Sequence, residues 1–144
     1  MRISFMFKAI AAFIFLSISV FAIACGGSST SGGKTIKAGP AGNNLTATLA
    51  SSDGVLRNGK QNFTLTFTDQ SGKPVDVGSV ALNFFMPAMG SMAAMNNPAS
   101  FTTTNTPGVY AGKVDLEMAG EWQAQITYDG PAGKGKATIT TTAQ

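Results

Sequence analysis

The sequence predicts an all-β domain, a small antiparallel immunoglobulin-like β-sandwich of about seven strands. Apolar residues recur with a period of two rather than 3.6, which is typical of strands with one buried face. Clusters of Gly, Asn, Asp and Pro separate the apolar runs, as turns between strands require. No segment after residue 25 has the pattern of a helix longer than a turn or two. The pattern covers residues 45–144, enough for one domain with a buried core.

Seven runs show this alternation. In chain order they are 45–49, 62–68, 80–86, 99–103, 110–116, 122–128 and 136–142. Trp122 opens an alternating run after a glycine, so we expect it to fill the core between the two sheets. The adjacent residues Phe84 and Phe85 must point to opposite faces of their strand, which leaves one of them outside the core.

Residues 1–24 are predicted to be a lipoprotein signal peptide. Arg2 and Lys8 precede a sixteen-residue uncharged stretch, 9–24. This stretch is shorter than the roughly 20 residues of a spanning helix. The stretch ends in Ala-Ile-Ala-Cys, which resembles the bacterial lipobox, and that resemblance implies lipidation (palmitate) on Cys25. An ordinary cleaved signal before an incidental cysteine is the alternative. Cys25 is the only cysteine, and a spare thiol is a liability in an oxidising compartment.

Residues 25–44 are predicted to be the lipidated cysteine and a flexible tether, because Gly and Ser dominate their first half. The residue after the cysteine is Gly26 rather than Asp. By resemblance to Gram-negative lipoproteins, this implies a lipid-anchored protein of the bacterial cell envelope, in the outer membrane and facing the periplasm. The first expected partner is therefore the membrane itself.

Composition limits the function. Without Arg2 and Lys8 the chain has eight basic and seven acidic residues, and they are scattered, so no nucleic-acid partner is expected. The chain has no histidine, which excludes His-based catalysis and imidazole ligation. No serine lies in a nucleophile-like turn with a lysine at a suggestive spacing, and the carboxylates are dispersed. We therefore expect no enzymatic activity.

One segment, 86–98, departs from the strand pattern. It contains Met86, Met89, Met92 and Met95, at strict three-residue spacing. Neither an ideal helix nor a strand brings all four side chains together, so only a folded-back loop would let the sulfurs converge. Thioethers are soft neutral ligands that suit Cu(I) or Ag(I), and these four residues are the predicted metal ligands, with Cu(I) as the ion. The alternative is that the methionines fill gaps in the core or form an apolar surface.

Three stretches resemble the YtkA-like family of exported sandwich domains, which is related to the FixH-type domains. They are Met86-Pro87-x-Met89-Gly90-x-Met92, Pro107-Gly108-Val109-Tyr110 and Met118-Ala119-Gly120-Glu121-Trp122. The resemblance covers roughly residues 45–140. Family members recur beside metal-efflux components, so it implies an accessory that handles soft metal ions for a membrane-embedded transporter or oxidase component.

The chain departs from the family pattern at one position. Members commonly have His where this chain has Ser91, and a hydroxyl is a poor ligand for a soft ion. Metal binding here would therefore depend on Met92 and Met95 in place of that histidine. A second hypothesis has no metal: an interaction module that docks a membrane partner through the same apolar loop.

Overall fold

The computed structural model describes residues 33–144, and this part of the chain contains nine strands and no helix. The strands, in chain order, are β1 (Lys34–Gly42), β2 (Leu45–Ser51), β3 (Gly59–Thr68), β4 (Ser79–Met86), β5 (Met95–Pro98), β6 (Ser100–Thr103), β7 (Val109–Leu116), β8 (Gly120–Gly130) and β9 (Gly133–Ala143).

The strands form two antiparallel sheets that pack face to face. One sheet has the order β1-β2-β3-β7-β6, and the other has the order β5-β4-β8-β9. Inward side chains of both sheets fill the space between them, and Phe63 of β3 meets Phe84 of β4 edge to face at 5.9 Å. Trp122 is fully buried in this core, as predicted. The predicted fold class, an all-β antiparallel sandwich, is confirmed.

Each of the seven predicted runs corresponds to a strand, but the prediction missed two strands. The first is β1, which lies within the predicted tether, so the tether assignment is wrong for residues 34–42 and the ordered domain begins before Leu45. A two-residue turn joins β1 to β2, and its residues Asn43 and Asn44 have φ of 50° and 58°. Positive φ at both positions is the geometry of a type I′ hairpin turn.

Strand β1 escaped prediction because its own residues carry little apolar pattern. It is an edge strand with two register irregularities, and only Ala41 among its nine residues is buried. Its backbone pairing with β2 and its packing beside β9 hold it in place.

The other residues of the predicted tether, 25–32, lie outside the described part of the chain, as do Cys25 and the signal peptide.

The second missed strand is β5, which lies inside the methionine segment. It pairs with β4 from Met86 opposite Met95 to Asn83 opposite Pro98. Directly after it, the amide of Ala99 donates to the carbonyl of Leu82 at 2.9 Å, and the chain crosses to the other sheet as β6. Four residues with one proline give too short a pattern to identify a strand.

Candidate functional site: the methionine hairpin

Residues 86–95 form a tight hairpin, which we call the methionine hairpin. Met86 and Met95 are opposite each other at the end of the β4–β5 ladder. Beyond them, the amides of Met89 and Met92 each donate to the other residue's carbonyl, at 3.1 and 2.9 Å. Gly90, with φ of 56°, and Ser91, which has no positive φ, form the two-residue turn. Positive φ at only the first central position is typical of a type II′ turn.

The hairpin brings the four methionines together as two pairs with different surroundings. Met86 is 1% exposed, and Met95 is half-buried against the core. Met89 and Met92 are 55% and 39% exposed. The fold-back expected from the sequence is therefore present, but it does not give the four thioethers one common environment.

Met86 belongs to the core. Its Cε lies 3.1 Å from the position that a Cβ on Gly120 would occupy, so the missing side chain of Gly120 provides space for the thioether. Trp122, two residues after Gly120, donates its Nε1–H to the carbonyl of Met118 at 3.1 Å. For Met86, the structure matches the alternative in which a methionine fills a gap in the core.

Met89 and Met92 form the accessible pair. Residues that exchange both backbone hydrogen bonds lie directly opposite, with Cβ atoms about 4.5–5.5 Å apart and side chains on the same face. A thioether side chain has three rotatable bonds, so the two sulfurs can approach one ion. The whole tip of the hairpin, residues 87–94, is exposed and has no charged residue. No group of three or more His, Cys, Asp or Glu that could hold a metal occurs in residues 33–144.

The second family-like stretch has a structural role. The hydroxyl of Tyr110 accepts a hydrogen bond from the amide of Val77 at 3.3 Å, and the carbonyl of Gly78 lies 3.1 Å from it as an acceptor. Burial raises the pKa of this hydroxyl above its ordinary value, which favours the protonated form that donates to the Gly78 carbonyl. Gly108, with φ of 82°, lies directly against the backbone of Val75. Both residues hold the loop before β4 against the sandwich.

A signal for the pairing was present in the sequence. The four methionines are symmetric about Gly90-Ser91, so a two-residue turn at that point pairs Met89 with Met92 and Met86 with Met95. Glycine at the first of two central positions is itself a signal for a type II′ turn. The three-residue spacing alone does not indicate this pairing, because these side chains diverge in a single helix or strand.

The comparison of the chain with models of known protein families gives one match. A family model described as YtkA-like matches residues 41–127, more than half of the chain. The chain belongs to the YtkA-like family. The match includes the methionine hairpin, Gly108, Tyr110 and Trp122 of this YtkA-like domain. No curated protein and no solved structure matches the chain.

Within residues 33–144, no helix is long and apolar enough to cross a membrane.

Proposed function

We propose that this YtkA-like protein is a non-catalytic, lipid-anchored accessory of the bacterial cell envelope that binds Cu(I) or Ag(I) through Met89 and Met92. The observation that carries the proposal is their cross-strand pairing, with both thioethers exposed on one face of a tight hairpin. Met95 is half-buried and is the candidate for a third sulfur. Met86, which the sequence suggested as a fourth ligand, is in the core and contributes to the hairpin's position.

The ligand chemistry suits a carrier or buffer. Thioethers need no deprotonation, so they bind a soft ion over a wide pH range and remain neutral in the absence of metal. Two or three neutral ligands at the surface hold the ion weakly to moderately and allow fast exchange. These are the properties of a site that passes its ion to a membrane-embedded transporter or oxidase component.

Cu(I) titration of the mature chain, against a chromogenic competing chelator without oxygen, tests this proposal. Changing both Met89 and Met92 to Leu keeps the volume and apolarity but removes both sulfurs. We expect the affinity for Cu(I) to fall at least about tenfold, because the exposed soft ligands are gone. The matched control changes Met86 and Met118 to Leu, which also removes two thioethers, and it should retain its affinity within about twofold.

Equal Cu(I) binding by the wild type and the Met89→Leu/Met92→Leu variant would overturn the metal site. Loss of binding only in the Met86→Leu/Met118→Leu control would place the site in the core instead.

A docking function through the same residues is the second candidate. Met89 and Met92 are the large apolar side chains that are exposed in the described part of the chain, and apolar groups on an exposed hairpin suit a partner surface. Docking depends on apolarity rather than on sulfur. Leucine at both positions should then preserve cross-linking to membrane proteins of the envelope, and serine at both positions should abolish it. A metal site loses function with either substitution.

The anchor is tested separately by replacing Cys25 with Ala. We expect the wild-type chain to fractionate with membranes and its first peptide to carry acyl chains by mass spectrometry. The Cys25→Ala variant should lose the acyl mass, and its membrane-bound fraction should fall at least about tenfold, because lipidation supplies the membrane affinity. An unmodified Cys25 in the membrane-bound wild type would contradict the proposed anchor.

A further inference from the structure

The backbone register places the methionine hairpin and the start of the domain at the same end of the sandwich. Lys34, at the start of β1, pairs with Ser51 at the end of β2. The antiparallel pairing of β2 with β3 and of β3 with β7 directs the start of β3 and the end of β7 toward this same end, where Gly59 is opposite Leu116, and the chain then turns into the start of β8. The residue pair Phe85 and Gln123 puts the end of β4 beside the start of β8. We call this end, which carries residues 33, 86–95 and 117–121, the hairpin end.

The length of chain between Cys25 and the domain limits the domain's orientation at a membrane. Eight residues, 25–32, precede Gly33, and even fully extended they reach only about 26–29 Å. From Gly33 to the far end of the sandwich the chain runs along the nine residues of β1, which extend over about 30 Å, slightly more than this reach. With the far end of the sandwich against the bilayer, the linker would have to be fully extended, so the length of the chain favours orientations in which the hairpin end faces the membrane.

The tip of the hairpin has the chemistry of a surface that tolerates lipid. All eight residues of the tip, 87–94, are exposed, and no charged residue occurs anywhere from Val77 to Gly112. Met89 and Met92 supply apolar area at the tip, and the remaining residues are small or proline. Such a tip can enter the interfacial zone of a bilayer without burying a charge.

The charges at the hairpin end lie beside the tip rather than in it. Lys34, Glu117 and Glu121 are exposed there, and Asp53 forms a 2.6 Å ion pair with Arg57. Both groups are ionised at neutral pH and compensate each other, and the hydrogen bond from Arg57 lowers the pKa of Asp53 to about 2. Lys34 offsets one of the two glutamates, so these residues leave one net negative charge, and zwitterionic lipid is a better match for this end than an anionic surface.

We propose that the hairpin tip, residues 87–94, is a membrane-contact surface that rests in the interfacial zone of the bilayer carrying the Cys25 lipid. This inference depends on the proposed lipidation of Cys25. The lipid supplies the membrane affinity, and the tip adds a second point of contact that fixes which side of the domain faces the bilayer. The contact also presents the Met89–Met92 pair at the membrane surface, where a membrane-embedded acceptor of its ion would lie.

The single cysteine allows a direct test with the full mature chain. Its thiol is coupled to a maleimide lipid in phosphatidylcholine vesicles, and the charged, water-soluble oxidant chloramine-T is added. The oxidant converts each accessible thioether to the sulfoxide, which gains one oxygen from water while the N–Cl group is reduced to N–H and chloride. Peptide mass spectrometry then gives a rate for each methionine, with a Gln70→Met chain as reference, because Gln70 is exposed in the β3–β4 loop at the opposite end.

On vesicles, Met89 and Met92 should oxidise at least about fivefold more slowly than in the uncoupled chain, because the bilayer shields them from a charged reagent. The rate at position 70 should change by less than about twofold, since that end faces water. Changing Ala88 and Ala93 to Glu places carboxylates on both sides of the pair and should abolish the protection.

Unchanged rates at Met89 and Met92 on vesicles would overturn the proposal, as would equal protection at position 70. Protection that occurs only in vesicles containing envelope membrane proteins would also overturn it, in favour of a protein partner. These outcomes are independent of the Cu(I) titration, which uses no vesicles, and of the acylation measurement, which uses the native lipid.

Discussion

Replacing Trp122 by Ala is expected to lower the free energy of unfolding by about 3–5 kcal/mol. The side chain is fully buried between the two sheets, and its Nε1–H donates to the carbonyl of Met118 at 3.1 Å. Truncation leaves a large cavity and removes the partner of that carbonyl. Urea unfolding followed by far-UV circular dichroism measures the change, because the variant has no tryptophan left to report by fluorescence.

The matched control is Trp122→Phe, which keeps an aromatic ring but loses the indole N–H and part of the volume. We expect it to cost about 1–2 kcal/mol, from one hydrogen bond and a smaller cavity. If the alanine variant lost no more stability than the phenylalanine variant, Trp122 would not be the central packing residue of this core.

The sequence was informative about the fold wherever a strand has one buried face. Alternation in the run 122–128 predicted that Trp122 fills the core, and its side chain is fully buried, since a strand that packs on one side must alternate. Strand β1 gave no such signal. At Gly39, the neighbouring side chain of Ile139 fills the space, and a Cβ on Gly39 would lie 3.2 Å from its Cγ1. A small residue there is a consequence of long-range packing, which local periodicity does not reveal.

The site was predicted only in part, for a similar reason. Met86 continues the inward face of β4 after Leu82 and Phe84, so its burial follows from the alternation. Pro87 ends that strand, and the positions of the next methionines then depend on the type of turn at Gly90. The turn that the positive φ of Gly90 allows places Met89 opposite Met92 and separates both from Met86. A change in loop length by one residue would alter that pairing, so spacing without the turn geometry could not identify the exposed pair.

The second large expected effect is that of Gly108→Ala, which should cost about 3 kcal/mol or more in unfolding free energy. Gly108 has φ of 82°, a conformation that disfavours any side chain, and an added Cβ would lie 2.5 Å from the carbonyl oxygen of Val75. The backbone cannot move aside freely. Phe67 donates its amide to the Gly108 carbonyl at 2.9 Å and accepts from the Val75 amide at 2.8 Å, which fixes both segments to β3.

Gly72→Ala separates the two causes of this loss. Gly72 has nearly the same φ, 83°, but nothing lies within 4 Å of its added Cβ, so only the left-handed conformation is penalised, by about 1–2 kcal/mol. Urea unfolding of both variants by fluorescence of Trp122 gives the comparison, and the excess loss at Gly108 is the cost of the clash with Val75. Equal losses in the two variants would mean that the loop before β4 yields easily. The close contact between Gly108 and Val75 would then contribute little to the stability of the sandwich.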